Sequence, residues 1–258
     1  SNRKRQFISP DKIKNDYEIL GNPKHTIDFD HSLHQKIMDN VERMGTDAKL
    51  VLGQGQVVHV SMAEKIIVLQ LSKLSNFIPD GGIWLNTQRP EWNDANNALV
   101  GYGVSMVTLY YLYRHIAFIN KVLAKVNENE FEISNEVFDW FRDINEIYKK
   151  YSPAAIKQID AIKRKTFVQE LQKVFSDYRR KTYNKNSSNK NKIKVIDLIN
   201  FNNLVLSHFE NTINNNYKKS LYNAYNTINI DSSDKINVTS LYPMLEGQVS
   251  ALSSGKIE

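Results

Sequence analysis

Residues 77–107 read "FIPDGGIWLNTQRPEWNDANNALVGYGVSMV", and how they are read decides the fold. Helix formers lie on both sides, in "SMAEKIIVLQLSKLSN" before and "TLYYLYRHIAFINKVLAKV" after. On local pattern alone, Pro79-Asp80-Gly81-Gly82 ends one helix, residues 84–97 form a polar and aromatic loop, and a second helix starts near Gly101. This helix–loop–helix reading makes the chain mainly α. The loop is unusual for a connector. Within fourteen positions it carries Trp84 and Trp92, the carboxylates Glu91 and Asp94, and four asparagines.

The rest of the chain is read in the same way. In "DHSLHQKIMDNVERMG", Leu33, Ile37, Val41 and Met44 fall at helical spacing and Gly45 stops the run. "KLVLGQGQVVHV" predicts one small hairpin, 49–52 with 57–60. Ser61 and Glu64 form a Ser-x-x-Glu capping box ahead of a helix reaching about Phe77. The apolar residues of 101–126 cover nearly the whole helical circumference, which predicts burial on most sides. Ser134 suits an N-cap before a helix with Val137, Trp140, Phe141, Ile144 and Ile147 on one face. Pro153 suits the first turn of a long helix whose stripe runs from Ile156 to Tyr178. Two more helices are expected at about 197–214 and 217–227, and a last one ending at Gly255. The segment 179–194 has seven basic residues and no acid, and is expected as a flexible loop or hinge. The predicted architecture is a single helical domain over 1–258 with one small β-hairpin. Because the chain begins Ser1-Asn2 rather than with Met, it is expected to be a piece of a longer protein.

Composition narrows the function. With 258 residues, 41% of them hydrophobic, the chain can bury a substantial core. It has no cysteine, so disulfides and thiolate metal sites are excluded and a cytoplasmic location is expected. The longest apolar stretch, Gly103–Tyr113, ends at Arg114, short of the roughly 20 residues a bilayer requires. The net charge of +6 is modest and partly concentrated in 179–194, which carries one aromatic, Tyr183, and no nucleic-acid signature. Nucleic acid is therefore an unfavoured partner. His31 and His34 sit at i, i+3, a spacing that can chelate, but a solvated helix face is the favoured reading and no metal is expected. His59, alternating with Val58 and Val60, is expected to be exposed. Residues 53–56 lack the spacing of a phosphate-binding loop, and no Gly-x-Ser-x-Gly elbow occurs.

The 84–97 loop has the inventory of a sugar site. Tryptophan faces stack on sugar rings, and Asn side chains both donate to and accept from hydroxyls. Trp92 supplies apolar surface that would keep a neighbouring Asp94 protonated. The competing reading makes the loop structural, with Asp94 and the asparagines capping the next helix and Trp84 and Trp92 packed as anchors.

The run "RPEWNDANNALVGYG" resembles the "GDWNDGM" stretch of cellobiose-phosphorylase-like enzymes, which belong to the inverting sugar enzymes with an (α/α)6 barrel. The match is strong over about 15 residues and loose over about 60. The resemblance implies that this chain is part of an (α/α) barrel-like array acting on an oligosaccharide without a cofactor, either as a glycoside phosphorylase with inorganic phosphate as co-substrate or as an inverting hydrolase with water. It implies that Asp94 is the general acid, with Trp92 and Asn93 matching the motif. Pro90, Glu91, Ala95 and Asn96 depart from it. Glu91 is a candidate second carboxylate for a hydrolase, in which the two groups stand roughly 6.5–9.5 Å apart. Arg89, Asn96 and Trp84 complete the candidate substrate contacts, and a barrel would need the remaining segments of a longer protein as partners.

Overall fold

The computed structural model describes residues 3–4, 10–14, 25–50, 52–53, 56–86, 98–156, 158–184, 189–231 and 234–256. In chain order the elements are β1 (Arg3–Lys4), β2 (Asp11–Ile13), β3 (Ile27–Phe29), α1 (His31–Met44), a 3-10 turn (Thr46–Lys49), β4 (Leu52–Gly53), β5 (Gln56–Val57), β6 (His59–Val60) and α2 (Met62–Leu74). Then follow β7 (Phe77–Ile78), β8 (Gly82–Trp84), β9 (Gly103–Ser105), α3 (Met106–Leu123), β10 (Glu130–Ser134), α4 (Asn135–Lys150) and α5 (Ala161–Asn184). The last elements are β11 (Lys190–Lys194), α6 (Val195–Asn215), β12 (Tyr217–Lys218), β13 (Leu221–Tyr222), β14 (Tyr225–Asp231), β15 (Lys235–Ser240) and α7 (Leu245–Ser253).

The predicted all-helical array with one hairpin is incorrect. The centre of the fold is a five-stranded antiparallel sheet in the order β15-β14-β9-β8-β7, curled into a half-barrel. Three segments read as helix belong to it. Phe77–Ile78 is a strand, so Pro79-Asp80-Gly81 is the turn of a β7–β8 hairpin and does not end a helix. Gly103–Ser105 is β9, and the apolar helix begins only at Met106, where Ser105 Oγ accepts the Thr108 N–H at 3.0 Å. The helix expected at 217–227 is instead a tight hairpin followed by β14. Lys219 and Ser220, both with positive φ, make the hairpin turn. β14 then pairs with β9 through Tyr225↔Ser105 and Asn226↔Val104.

Close approach of the backbones selects glycine at two positions in this sheet. A Cβ on Gly82 would lie 2.7 Å from the Ser105 carbonyl oxygen, and one on Gly103 would lie 2.2 Å from Leu99 Cβ.

Other boundaries also shift. The small hairpin is tighter than predicted, pairing Leu52 with Val57 and Gly53 with Gln56. His59 and Val60 pair instead with Lys4 and Arg3, and His59 is exposed opposite a buried Val60. α5 starts at Ala161 rather than near Pro153, with Asp160 Oδ1 accepting the Lys163 N–H. The segment 179–194, expected as a flexible loop, holds the last turn of α5 and the strand β11, which runs antiparallel to the acidic strand β10. Across that pair Lys192 meets Glu130, and Lys190 meets Glu132 at 3.6 Å. Residues 185–188 lie outside the described residues.

Where caps and periodicity agree, the elements stand as read. α1 ends at Gly45 with φ 75°, α7 ends ahead of Gly255 with φ 72°, and Ser134 is the N-cap of α4. Val137, Trp140, Phe141, Ile144 and Ile147 are all buried. Trp140 is stacked between Phe175 and Tyr178 of α5, with ring centroids 5.3 and 4.0 Å away. The helix 106–123 is one-sided rather than buried all round, because Tyr111, Phe118 and Val122 are exposed. One apolar core runs from the sheet through α2, α3, α4, α5 and α6. No helix among the described residues is long and apolar enough to cross a membrane.

Candidate functional site

Of the residues singled out in the sequence, Trp84 is described. Arg89, Glu91, Trp92, Asn93, Asp94 and Asn96 lie outside the described residues. Trp84 is the last residue of β8 and is only 3% exposed. Its indole N–H donates to the Gly101 carbonyl at 2.9 Å. That position gives it a packing role, because its ring faces are covered by the core and cannot stack on a sugar.

What surrounds Trp84 is a neck that fixes both flanks of 87–97. The Leu85 N–H donates to the Gly103 carbonyl at 2.9 Å, and the Gly101 N–H donates to the Leu85 carbonyl at 2.6 Å. Asn86, also buried, donates from Nδ2 to Asn76 Oδ1 at 2.8 Å, and Gln172 Nε2 donates to the same oxygen and to the Ser75 carbonyl. On the return side, Tyr102 donates its hydroxyl to the Ala98 carbonyl at 2.6 Å. The residues on both sides of 87–97 are thus tied to the sheet and to α5 by a set of hydrogen bonds around the buried Trp84–Gly101 contact.

At the other end of β8 lies a polar cavity of about 180 Å³, lined by Asp80, Tyr151, Gln158, His208, Asn211, Thr212 and Asn215. Asp80 has φ 62° and is locked from four directions. Its Oδ2 pairs with Arg164 at 2.7 Å and its Oδ1 accepts from Asn215 at 2.7 Å. Its N–H donates to Thr212 Oγ1 at 3.1 Å, and its carbonyl accepts from Asn216 at 2.8 Å. Arg164 is nearly buried and also donates to the Pro79 and Ile236 carbonyls. His208 lies among the Phe77, Tyr148 and Phe167 rings with Nε2 2.9 Å from the Tyr148 carbonyl. Burial pushes its pKa down to about 4, so near neutral pH the imidazole is uncharged and Nε2–H is the donor to that carbonyl. Asp80, Arg164 and His208 are each held by structural partners, and the cavity reads as the polar side of the sheet–helix junction.

A second cavity, of about 220 Å³, lies between α2, α3, α4 and α6. Its walls are apolar apart from the amides of Gln70 and Asn202. Neither residue belongs to a motif, although Gln70, the one polar side chain in "IIVLQL", is a local signal on the inward face of α2.

The histidines do not form a centre. The His31 and His34 rings are exposed and pack on Phe29 at 4.9 and 5.3 Å. Among the described residues, no group of three or more His, Asp or Glu side chains converges as metal ligands would. No protein-family model matches this chain, and no curated protein matches it.

Proposed function

We propose that this chain is a non-catalytic binding module, in which the sheet holds the 84–97 segment for recognition of a saccharide or a partner rather than for turnover. The observation that carries this reading is the seating of Trp84. An aromatic meant for a sugar face offers that face, whereas Trp84 is packed in the core and hydrogen-bonded to Gly101. The curled antiparallel sheet also differs from the helical array that the Trp-Asn-Asp resemblance implied, and that difference weakens the transfer of the general-acid role to Asp94. The recognition chemistry of the segment is unaffected by that loss. By residue type, Trp92 has a ring able to stack, Asn93 and Asn96 carry paired donors and acceptors, and Arg89 and Glu91 carry charges that can select a partner.

The test incubates the chain with gluco-oligosaccharides of two to six units, with and without inorganic phosphate, following both binding and products. The binding reading expects a saturable isotherm weakened about tenfold or more by Trp92→Ala, with no sugar 1-phosphate and no new reducing ends. Release of either product, abolished in Asp94→Asn, would overturn it in favour of a glycoside phosphorylase or inverting hydrolase.

A further inference from the structure

The cavity between α2, α3, α4 and α6 is independent of the 84–97 segment. Ile67, Leu71, Val122, Phe131, Phe141 and Phe201 supply much of its wall. One polar feature interrupts this lining. Gln70 and Asn202, 6% and 2% exposed, face each other, and Gln70 Nε2 donates to Asn202 Oδ1. Asn202 Nδ2 donates onward to Asn120 Oδ1 at 2.7 Å, and Asn120 Nδ2 donates to Asn203 Oδ1 at 2.8 Å. The amides form a one-way relay from the cavity wall to the surface, and each carboxamide oxygen beyond Gln70 is filled by the amide before it. At the cavity end the relay is open. Gln70 Oε1 accepts no hydrogen bond from any described residue, although its side chain is nine-tenths buried and lines the cavity. Oε1 is therefore an acceptor open to the cavity, and whatever fills the cavity must donate to it or leave it unpaired.

We infer that this cavity binds a small apolar alcohol, its hydrocarbon body against the aliphatic and aromatic wall and its hydroxyl donating to Gln70 Oε1. The volume sets the size. A cavity of roughly 150 Å³ holds benzene, so this one takes a body of about six to ten carbons. The chemistry sets the head group. A carboxylate has no proton to donate to Oε1 and no cation in the lining to offset its charge, and a pure hydrocarbon leaves Oε1 unpaired. A hydroxyl also fits the relay in either sense, since it accepts from the Gln70 amide if the whole chain of amides reverses. Val122 is exposed and marks the mouth.

The experiment uses benzyl alcohol and toluene, two bodies of nearly equal size that differ in the hydroxyl, titrated into the full chain and followed by amide chemical shifts. Both are expected to saturate at one site. Gln70→Leu should weaken benzyl alcohol by about fivefold or more, the worth of one neutral hydrogen bond, and leave toluene within about twofold. Val122→Phe, at the mouth, should weaken both. Absence of saturable binding, equal loss of the two probes in Gln70→Leu, or binding unchanged in both variants would each overturn the assignment. Thermal unfolding of each variant shows that it is folded before titration. Because neither probe nor variant touches residues 84–97, failure here leaves the saccharide or partner reading standing, and the reverse also holds.

Discussion

Glu64 and Ser134 meet across 70 residues of chain. The Glu64 carboxylate accepts the Ser134 N–H at 3.0 Å and the Ser134 hydroxyl at 2.7 Å. The sequence assigned Glu64 to the start of its own helix, as the partner of Ser61 in a capping box. Ser61 Oγ does accept the Glu64 N–H at 3.1 Å. The carboxylate, however, serves the next layer. It supplies the acceptor at the first turn of α4, where Ser134 is the N-cap residue without a side-chain cap bond of its own. A negative group there also complements the helix dipole.

The first prediction follows from that pairing. Glu64→Ala leaves a buried N–H and a buried hydroxyl without acceptors, and should cost about 2–4 kcal/mol. Ser134→Ala removes the hydroxyl alone and should cost about 1 kcal/mol. The two changes should be strongly non-additive in a double-mutant cycle read by urea denaturation, because they delete the same contact. Additive losses would show that the pairing contributes nothing beyond local packing.

Burial of His208 predicts a pH dependence. Its folded pKa, about 4, lies below the ordinary value of 6.5. Above pH 7 both folded and unfolded chains carry it neutral, and it imposes no cost. As pH falls from about 6.5 to 4 the unfolded chain takes up the proton and the folded chain does not, so stability falls by about 3 kcal/mol in that window. His115, also pushed down by burial, adds in the same direction. His208→Gln keeps a donor for the Tyr148 carbonyl but cannot titrate. Its unfolding free energy should therefore lose much of the wild-type slope between pH 7 and 4.5, and an unchanged slope would assign the acid sensitivity to other groups.

Trp84 gives a prediction about the neck. Trp84→Phe keeps most of the packing and loses the indole N–H, leaving the Gly101 carbonyl short of its donor. The expected cost is about 1–2 kcal/mol. Hydrogen exchange should rise first at Leu85 and Gly101, the residues whose amide protons close the neck. Trp84→Ala should cost about 3–5 kcal/mol through the cavity it leaves. Uniform exchange changes across the chain would mean that the neck is no cooperative unit.

What was legible in the sequence follows physical locality. α1 and α4, and the end of α7, were legible from signals within a few residues: a stripe and Gly45 for α1, a stripe and Ser134 at the start of α4, and Gly255 after α7. The sheet was not legible, for two reasons. Its strands β7, β8 and β9 are two or three residues long, too short for alternation to be measured. Its central pairing, β9 with β14, joins Val104 to Asn226, and no local window contains both. The run "YNAYNTINI" was misread because Tyr, Asn and Ala are compatible with either element, and the sheet partner decides. The basic segment looked solvated because the acids that answer it, Glu130 and Glu132, lie on a strand more than fifty residues earlier. At the candidate site, the sequence offered Trp84 both as a sugar contact and as a packing anchor, and nothing local decided between the two; its burial does.

The last prediction concerns the β7–β8 turn. Asp80 holds a left-handed conformation that an L-residue adopts at a cost of order 1 kcal/mol, and glycine would relieve it. The chain keeps aspartate because its carboxylate is the partner of Arg164, whose guanidinium also ties the Pro79 and Ile236 carbonyls and so clamps the hairpin turn to β15. Two substitutions separate strain from pairing. Asp80→Gly removes strain and partner together, leaving a nearly buried guanidinium uncompensated, and should still destabilise by about 2–4 kcal/mol. Arg164→Met removes the charge and all its donors but fills part of the space, and should cost about 3–5 kcal/mol, since Asp80 and two carbonyls lose their donor. With Met already at 164, adding Asp80→Gly should restore stability relative to the single Arg164→Met variant, because the glycine relieves strain and removes a carboxylate that has lost its cation, at the expense of the one bond from Asn215. Further destabilisation in the double variant, measured by equilibrium urea unfolding, would show that the Asp80 carboxylate is held chiefly by Asn215 and that the ion pair is secondary.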